Sequence, residues 1–348
     1  MFWPRFTITN AITGALLEIE RARGFLDAAD LRDEWLDEMR TEAVIREAHY
    51  STHIEGTALT LDQAEGIFRG ELPEGVARDD RQELLNYKEA MDFVSEQVGS
   101  GSRITEDLIK ELHRILVKDV RGGSLEPGKY REVQNYIVDA ITGKAIYTPP
   151  PASEVSRMMA EFVEWLNKDT GVSAVLTAGI AQFQFVQVHP FLDGNGRTAR
   201  VLCTLVLYKS GYDFKRLFSL SEYYDEERQA YYDAIQGVRE ADGDLTGWLE
   251  YFTEGLKSQL LSVKVKGELV IREDAVMDRG RKFLLNERQL AILQHIVSEG
   301  QTSVEEVRER HGLVRRTVQR DLARMVELGL VEEVSSSPTD PTKVYRLR

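Results

Sequence analysis

Positions 189–200 gather a base, a carboxylate, a glycine-rich turn and two guanidiniums: His189-Pro190-Phe191-Leu192-Asp193-Gly194-Asn195-Gly196-Arg197-Thr198-Ala199-Arg200. Gly194 and Gly196 flank Asn195 and let the backbone take positive φ and come close to a ligand. The turn opens a helix predicted over 198–210, so unpaired N–H groups and the positive end of the dipole face outward. Arg197 and Arg200 are three apart and are expected on one helix face, where two cations oppose the dipole unless an anion arrives. Several phosphates would satisfy the amides and both guanidiniums together. Asp193 would repel a bare phosphate, but it suits a Mg2+ ion that the phosphates also ligate. His189 is then the neutral base beside them, suited to taking a proton from an incoming hydroxyl.

Two helices must position this segment. Residues 173–188 (SAVLTAGIAQFQFVQV) are apolar enough for a buried helix, and Pro190 pushes His189 out of the α region, so the helix should stop at the histidine. Gly211 stands where a left-handed cap would close the second helix.

HPFLDGNGRTAR resembles the Fic family signature HPFx(D/E)GNGRxxR at every specified position. The resemblance implies a protein adenylyltransferase that moves AMP from ATP, with Mg2+, to a Ser, Thr or Tyr hydroxyl and releases pyrophosphate. In that scheme His189 is the base and Asp193 holds the metal. Gly194, Asn195, Gly196, Arg197, Thr198, Ala199 and Arg200 bind ATP, with the two arginines on the β- and γ-phosphates. Removal of AMP, or transfer of another phosphate-linked group, is an alternative the signature leaves open. The target is not readable; relatives modify themselves or type II topoisomerase subunits, and a homodimer is a family-level expectation.

Upstream, the stretch 40–56 placed on a helix puts Val44, Ala48, Ser51 and Glu55 on one stripe, with Gly56 as the stop. A carboxylate ending an apolar stripe calls for a cation or several donors. Ser51-x-x-x-Glu55-Gly56 resembles the inhibitory motif (S/T)xxxE(G/N) of many Fic proteins, and the resemblance implies that Glu55 pairs with Arg200 and misaligns ATP.

Composition bounds the rest. The chain has 348 residues and a net charge of −14, which argues against nonspecific nucleic-acid binding by the whole molecule. From Arg281 onward 12 basic side chains face 10 acidic ones, a balance of +2, so the remainder carries −16. Cys203 is the sole cysteine, lies among aliphatic residues and excludes an internal disulfide. The N-terminus does not resemble a signal peptide, and Gln182, Gln184 and Gln187 interrupt the most apolar run, so a cytoplasmic protein without membrane contact is expected.

The expected architecture is mainly α: a Fic-type helical core with a β-hairpin flap, followed by a winged helix. An N-terminal helical region spans 1–100 with the inhibitory helix at about 40–56, the core 101–260, a linker 261–285 and the last domain 286–348. Thr60 and Gln63 can form a capping box; His113 is read as a residue without chemistry. Val133–Tyr147 is read as two strands around Thr142-Gly143-Lys144. By resemblance this is the flap that holds a target segment, with Tyr136, Ile137, Ile146 and Tyr147 facing it, and an unpaired strand edge suits an extended peptide. Tyr231 and Tyr232 are candidates for the nucleotide pocket. After 285, helices over 286–298, 303–311 (opened by Thr302-x-x-Glu305) and 314–328 precede a hairpin, which resembles a winged helix-turn-helix. Arg315, Arg316, Thr317, Gln319 and Arg320 cluster where a recognition helix meets DNA. Sequence alone leaves a DNA partner and a protein partner equally open, and so also a DNA-binding regulator that only senses nucleotide.

Overall fold

The computed structural model describes residues 2–120, 126–138, 145–335 and 343–348. It divides into two compact units, Met1–Lys264 and Val265–Arg348. No described helix is long and apolar enough to cross a membrane.

The first unit is helical. Its centre is α7 (Ala174–Val188) packed along α8 (Asn195–Lys209). Every residue of α8 from Arg197 to Tyr208 is buried, as are twelve residues of α7, which is why neither helix shows an amphipathic pattern. Trp248 and Phe252 pack on α7 at Gly179, where a Cβ would lie 2.7 Å from the Phe252 ring; Trp248 donates its indole N–H to the Gly179 carbonyl at 2.8 Å.

Around this pair run α1 (Asn10–Ala28), α2 (Asp33–Ile54), α3 (Leu61–Phe68), α4 (Arg78–Gly99), α5 (Glu106–Leu116), α6 (Ala152–Leu166), α9 (Leu220–Glu226), α10 (Arg228–Glu240) and the first half of α11 (Thr246–Lys282), whose residues from Val265 on belong to the second unit. Thr9 caps α1 through the Ile12 N–H, and Thr60 and Gln63 form the anticipated capping box on α3. The segment 261–282, expected to be linker, is instead helical. Buried Val263, Gly267, Val270 and Met277 recur at helical spacing beneath its charges.

The expected hairpin is present but shorter: β1 (Ile137–Val138) pairs antiparallel with β2 (Ala145–Tyr147). Its turn at Thr142-Gly143-Lys144 lies outside the described residues. Positions 133–135 are not strand: Arg131 donates to the Val133 carbonyl, and the side-chain amides of Gln134 and Asn135 donate to the carbonyls of Pro149 and Phe191.

The second unit contains α12 (Glu287–Glu299), β3 (Gln301–Ser303), α13 (Val304–His311), α14 (Arg315–Glu327), β4 (Val331–Val334) and β5 (Val344–Leu347), with antiparallel sheet order β3-β5-β4. The strand β3 is absent from the sequence reading. The capping box is one residue later than expected, Ser303 with Glu306, because Thr302 is buried on β3 and its hydroxyl meets His295 at 3.1 Å. Ile292, Leu293, Ile296, Val307, Val318, Leu322 and Met325 form the core of this unit.

Candidate active site

His189 ends α7 as expected, but its conformation is left-handed (φ 50°, ψ 60°) rather than extended. A non-glycine residue there carries strain that its surroundings must hold. The His189 N–H still reaches the Phe185 carbonyl at 2.9 Å, while Nδ1 lies 3.2 Å from the Val186 carbonyl. Nδ1 is therefore the protonated nitrogen, and Nε2 keeps the lone pair a base needs. Burial holds the imidazole at about 4, despite opposing contributions from the Val186 carbonyl and the Glu55 charge. It is neutral at physiological pH.

Arg131, which the sequence reading missed, clamps this bend. Its buried guanidinium donates to the carbonyls of His189 (2.8 Å), Pro150 (2.6 Å), Val133 (3.3 Å) and Val188 (3.4 Å), and its backbone N–H donates to Pro190. The left-handed turn, the start of α6 and the approach to the hairpin are thereby tied to one fork of donors. Arg131→Met is expected to lower stability by about 3–5 kcal/mol, because buried carbonyls lose their partners together. Arg131→Lys should recover only part, since an ammonium lacks the planar fork. A urea titration in which Arg131→Met matches wild type would refute the clamp.

The loop after the histidine is held from two sides. Asn195 accepts the Phe191 N–H on Oδ1 and donates Nδ2 to the Phe191 carbonyl, both at 2.9 Å. Its side chain is thus a staple across the loop, engaged at both of its polar atoms. His113 on α5 stacks on Phe191 with ring centroids 3.7 Å apart. Its Nδ1 accepts from the Gly128 N–H at 2.9 Å and its Nε2 donates to the Asp193 carbonyl at 3.0 Å. Burial holds this imidazole also at about 4. His113 therefore positions the loop, a role the sequence did not reveal because its partners come from distant segments.

Neutral buried imidazoles carry a pH signature. Unfolded, both histidines protonate near pH 6.5; folded, only near 4. Stability should thus be constant above about pH 6.5 and fall as pH drops from there toward 4, because the unfolded chain binds protons first. Denaturation at several pH values should show this fall, with a shallower slope in His113→Gln. Equal slopes would remove His113 from the account.

Gly194 caps α8 in the left-handed region (φ 72°), and the Asp193 carboxylate accepts its N–H at 2.6 Å. The helix starts at Asn195, three residues earlier than expected, so the N–H groups of Asn195, Gly196 and Arg197 precede the first intrahelical acceptor. Gly196 is helical; contrary to expectation it supplies clearance, not positive φ. A Cβ on Gly196 would lie 2.1 Å from Glu55 Oε1. The Glu55 carboxylate therefore sits directly on the first turn of α8.

The two arginines do not share a task. Arg197 points to α4 and pairs with Glu83 at 2.8 Å, both side chains almost wholly buried. This corrects the expectation that its guanidinium faces phosphate. Arg200 turns to α2: Nε donates to Ser51 Oγ (2.7 Å), and one terminal nitrogen donates to the Ser51 carbonyl (2.9 Å) and Glu55 Oε1 (2.8 Å). Burial disfavours its charge, but Glu55 together with Tyr231 and Tyr87 more than compensates, and its pKa is raised. Glu55 is the C-cap of α2, and Gly56 breaks the helix at φ 104°. The carboxylate remains 27% exposed, whereas Arg200 is 2% exposed. So the partner at the rim is the replaceable one.

Glu47 holds α2 in this position. Buried and without an ion pair among the described residues, it accepts from Tyr87 Oη (2.9 Å), Ser219 Oγ (3.0 Å), the Ser221 N–H (2.9 Å) and Ser221 Oγ, joining α2 to α4 and α9.

Other candidates are displaced. Thr198 Oγ1 bonds the Gly194 carbonyl at 2.8 Å and Ala199 is core, so neither side chain faces a ligand. Tyr231 is buried and stacked on Tyr224 at 4.5 Å, and its hydroxyl lies against the Arg200 side chain. Tyr232 is 45% exposed, with its hydroxyl 3.4 Å from the Ile54 carbonyl, at the rim beside α2. On the hairpin, Tyr136 and Ile146 are exposed and Ile137 is half-buried. Tyr147 instead anchors it: its hydroxyl donates to the Gln187 carbonyl at 2.7 Å and Arg239 lies 3.5 Å over its ring. Beside them a cleft of 580 Å3 is lined by Ile146, Tyr147, Gln184, Gln187 and Arg239. Among the described residues no group of three or more His, Cys, Asp or Glu side chains is arranged to hold a metal.

The fold and this site define a Fic domain: residues 103–207 match the profile of the Fic/DOC family. The chain carries a Fic domain over those residues. It is 30% identical over 200 residues to Protein adenylyltransferase Fic of Drosophila grimshawi, covering 57% of this chain and 40% of that protein. The namesake of Culex quinquefasciatus is 29% identical over 228 residues, covering 64% and 43%. The chain thus spans about two fifths of the length of these relatives. The crystal structure of a Fic family protein from Desulfovibrio desulfuricans G20 superposes with a TM-score of 0.64 at 24% identity, covering 100% of this chain and 98% of that one. Fic-1 from C. elegans (residues 134–508) superposes at 0.61 and 24% identity, covering 74% and 72%. These structural likenesses establish the fold.

Proposed function

We propose that this chain transfers AMP from ATP to a Ser, Thr or Tyr hydroxyl of a protein, and that Glu55 restrains the reaction. The observation that carries the reading is the Glu55 carboxylate lying on the first turn of α8 and on Arg200. An anion from the chain itself occupies the place where donors converge on a terminal phosphate.

When Glu55 withdraws, Arg200 keeps its two bonds to Ser51 and can take the γ-phosphate. The N–H groups of Asn195, Gly196 and Arg197 meet the remaining phosphate oxygens, and the Arg197–Glu83 pair fixes α8 from behind. The target hydroxyl attacks the α-phosphorus and gives its proton to His189 Nε2. The bond to the bridging oxygen breaks, and pyrophosphate leaves. The single carboxylate of Asp193 suits Mg2+, which commonly takes one or two carboxylates and completes its shell with phosphate and water; bound there it would neutralise phosphate charge. Positioning and electrostatics supply most of the rate in such chemistry. The hairpin edge, with Tyr136 and Ile146 outward and Ile137 half-buried beside them, suits an extended target segment.

The test is to supply ATP labelled at the α- or the γ-phosphate. Label reaching protein from the α position alone, with pyrophosphate released, supports the reading; label from the γ position indicates a kinase, and loss of preformed AMP from protein indicates the reverse reaction.

A further inference from the structure

In the C-terminal unit, Gly312, in the left-handed region at φ 62°, ends α13, and Leu313 and Val314 lead directly into α14. One face of α14 is core: Val318, Leu322 and Met325, with Asp321 held by Arg288 and Gln289. The opposite face presents Arg315, Arg316, Gln319, Arg320, Ala323 and Arg324, all exposed.

Neighbouring arginines are paired: Arg281 with Asp278, Arg308 with Glu305, Arg310 with Glu299 and Arg346 with Glu332. Arg315, Arg316, Arg320 and Arg324 form no ion pair among the described residues. Residues 265–348 hold 14 acidic side chains against 15 basic, so carboxylates are plentiful in the unit, yet among the described ones only Asp321 acts on this group, on Arg320 and without an ion pair. Arg316, Arg320 and Arg324 stand one turn apart, where like charges repel. A row of cations without ion pairs on a folded helix calls for an anion outside the chain.

We propose that α14 is a DNA-reading helix that enters the major groove of duplex DNA. A helix with its side chains is about 10–12 Å across and the groove about 12 Å wide. Ala323, at the middle of the exposed face, lets the backbone come close. Arg316 and Arg320 flank that midline and reach base edges, where arginine pairs with guanine and Gln319 with adenine. Arg315 and Arg324, further round the helix, meet the phosphates on either side. Glu327 marks the end that leaves the groove. The face lacks the apolar or aromatic anchors that organise a protein interface. Val314, 70% exposed at the entrance to the helix, suits a thymine methyl. The strand cations Lys343 and Arg346 are occupied by Glu333 and Glu332, so the helix supplies the contacts. Residues 1–264 carry a net −15, which confines attraction to this surface.

The test uses the full chain and a fluorescein-labelled random-sequence duplex of about 20 base pairs, read by anisotropy between roughly 50 and 200 mM salt. Binding at low salt should weaken steeply as salt rises. The variant Arg315→Gln/Arg316→Gln/Arg320→Gln/Arg324→Gln should bind at least about tenfold more weakly, with a log–log salt slope smaller by about 2 or more. Its circular dichroism and melting temperature should match wild type, since all four side chains are exposed. Arg308→Gln/Arg310→Gln should bind as wild type. Failure of wild type to bind at low salt overturns the proposal, as does a fourfold variant that binds equally well. Capture of an acidic protein by this face without any DNA binding overturns it too.

Discussion

Glu55→Gly protein is expected to incorporate about 10- to 100-fold more label from α-labelled ATP than wild type. The magnitude follows from where the pair lies. Exposed ion pairs are worth about 0.2–1 kcal/mol, and losing one partner of a buried pair costs about 3–5. Arg200 is buried but the Glu55 carboxylate is 27% exposed, so displacement falls between, near 1.4–2.7 kcal/mol, or one to two decades. The fold should survive. Glycine is favoured after a helix, and Arg200 retains Ser51 Oγ and the Ser51 carbonyl, so no bare buried cation is left. Equal incorporation by variant and wild type would end the restraint reading, while transfer itself could still be measured in both.

On that activated background, His189→Ala should lower incorporation by about 10²–10⁴-fold, the range a general base contributes. Nucleotide affinity should change little, because the amides of α8 and Arg200 remain in place. That split separates loss of a base from loss of a fold. The pH profile is a second reading of the same group. With its pKa held at about 4 by burial, His189 is already neutral above about pH 6, so the rate should be flat there and fall toward pH 4. Removing Glu55 takes away a charge that favours the imidazolium, so the fall should shift to lower pH in the activated variant. A His189→Ala enzyme with unaltered turnover would assign the proton transfer elsewhere.

Much of this was legible from spacing alone. HPFLDGNGRTAR placed a base, a carboxylate and donor amides on one turn because helix and turn geometry act over a few residues. The stripe through Ser51 and Glu55 was visible for the same reason, and both residues do meet Arg200. Local rules failed where a side chain's neighbour comes from far away in sequence. Arg197 and Arg200 were expected side by side on phosphate; Glu83 on α4 takes the first and α2 the second. Tyr231 was expected at the nucleotide, and it lies buried against Tyr224, Gln182 and Arg200.

By itself, then, the chain's order of residues determined the chemistry on offer: which groups can take a proton, hold a metal or receive an anion at a helix start. It also determined most helix positions, since periodicity and caps are local. Only the tertiary structure decided which groups are available. Arg131 and His113 hold the loop, Glu47 holds α2, and Glu55 rests on Gly196 where a side chain would exclude it. The physical reason is that a buried polar group must find partners wherever the fold brings them. A local pattern says which way a side chain leaves its helix, and only packing says what meets it.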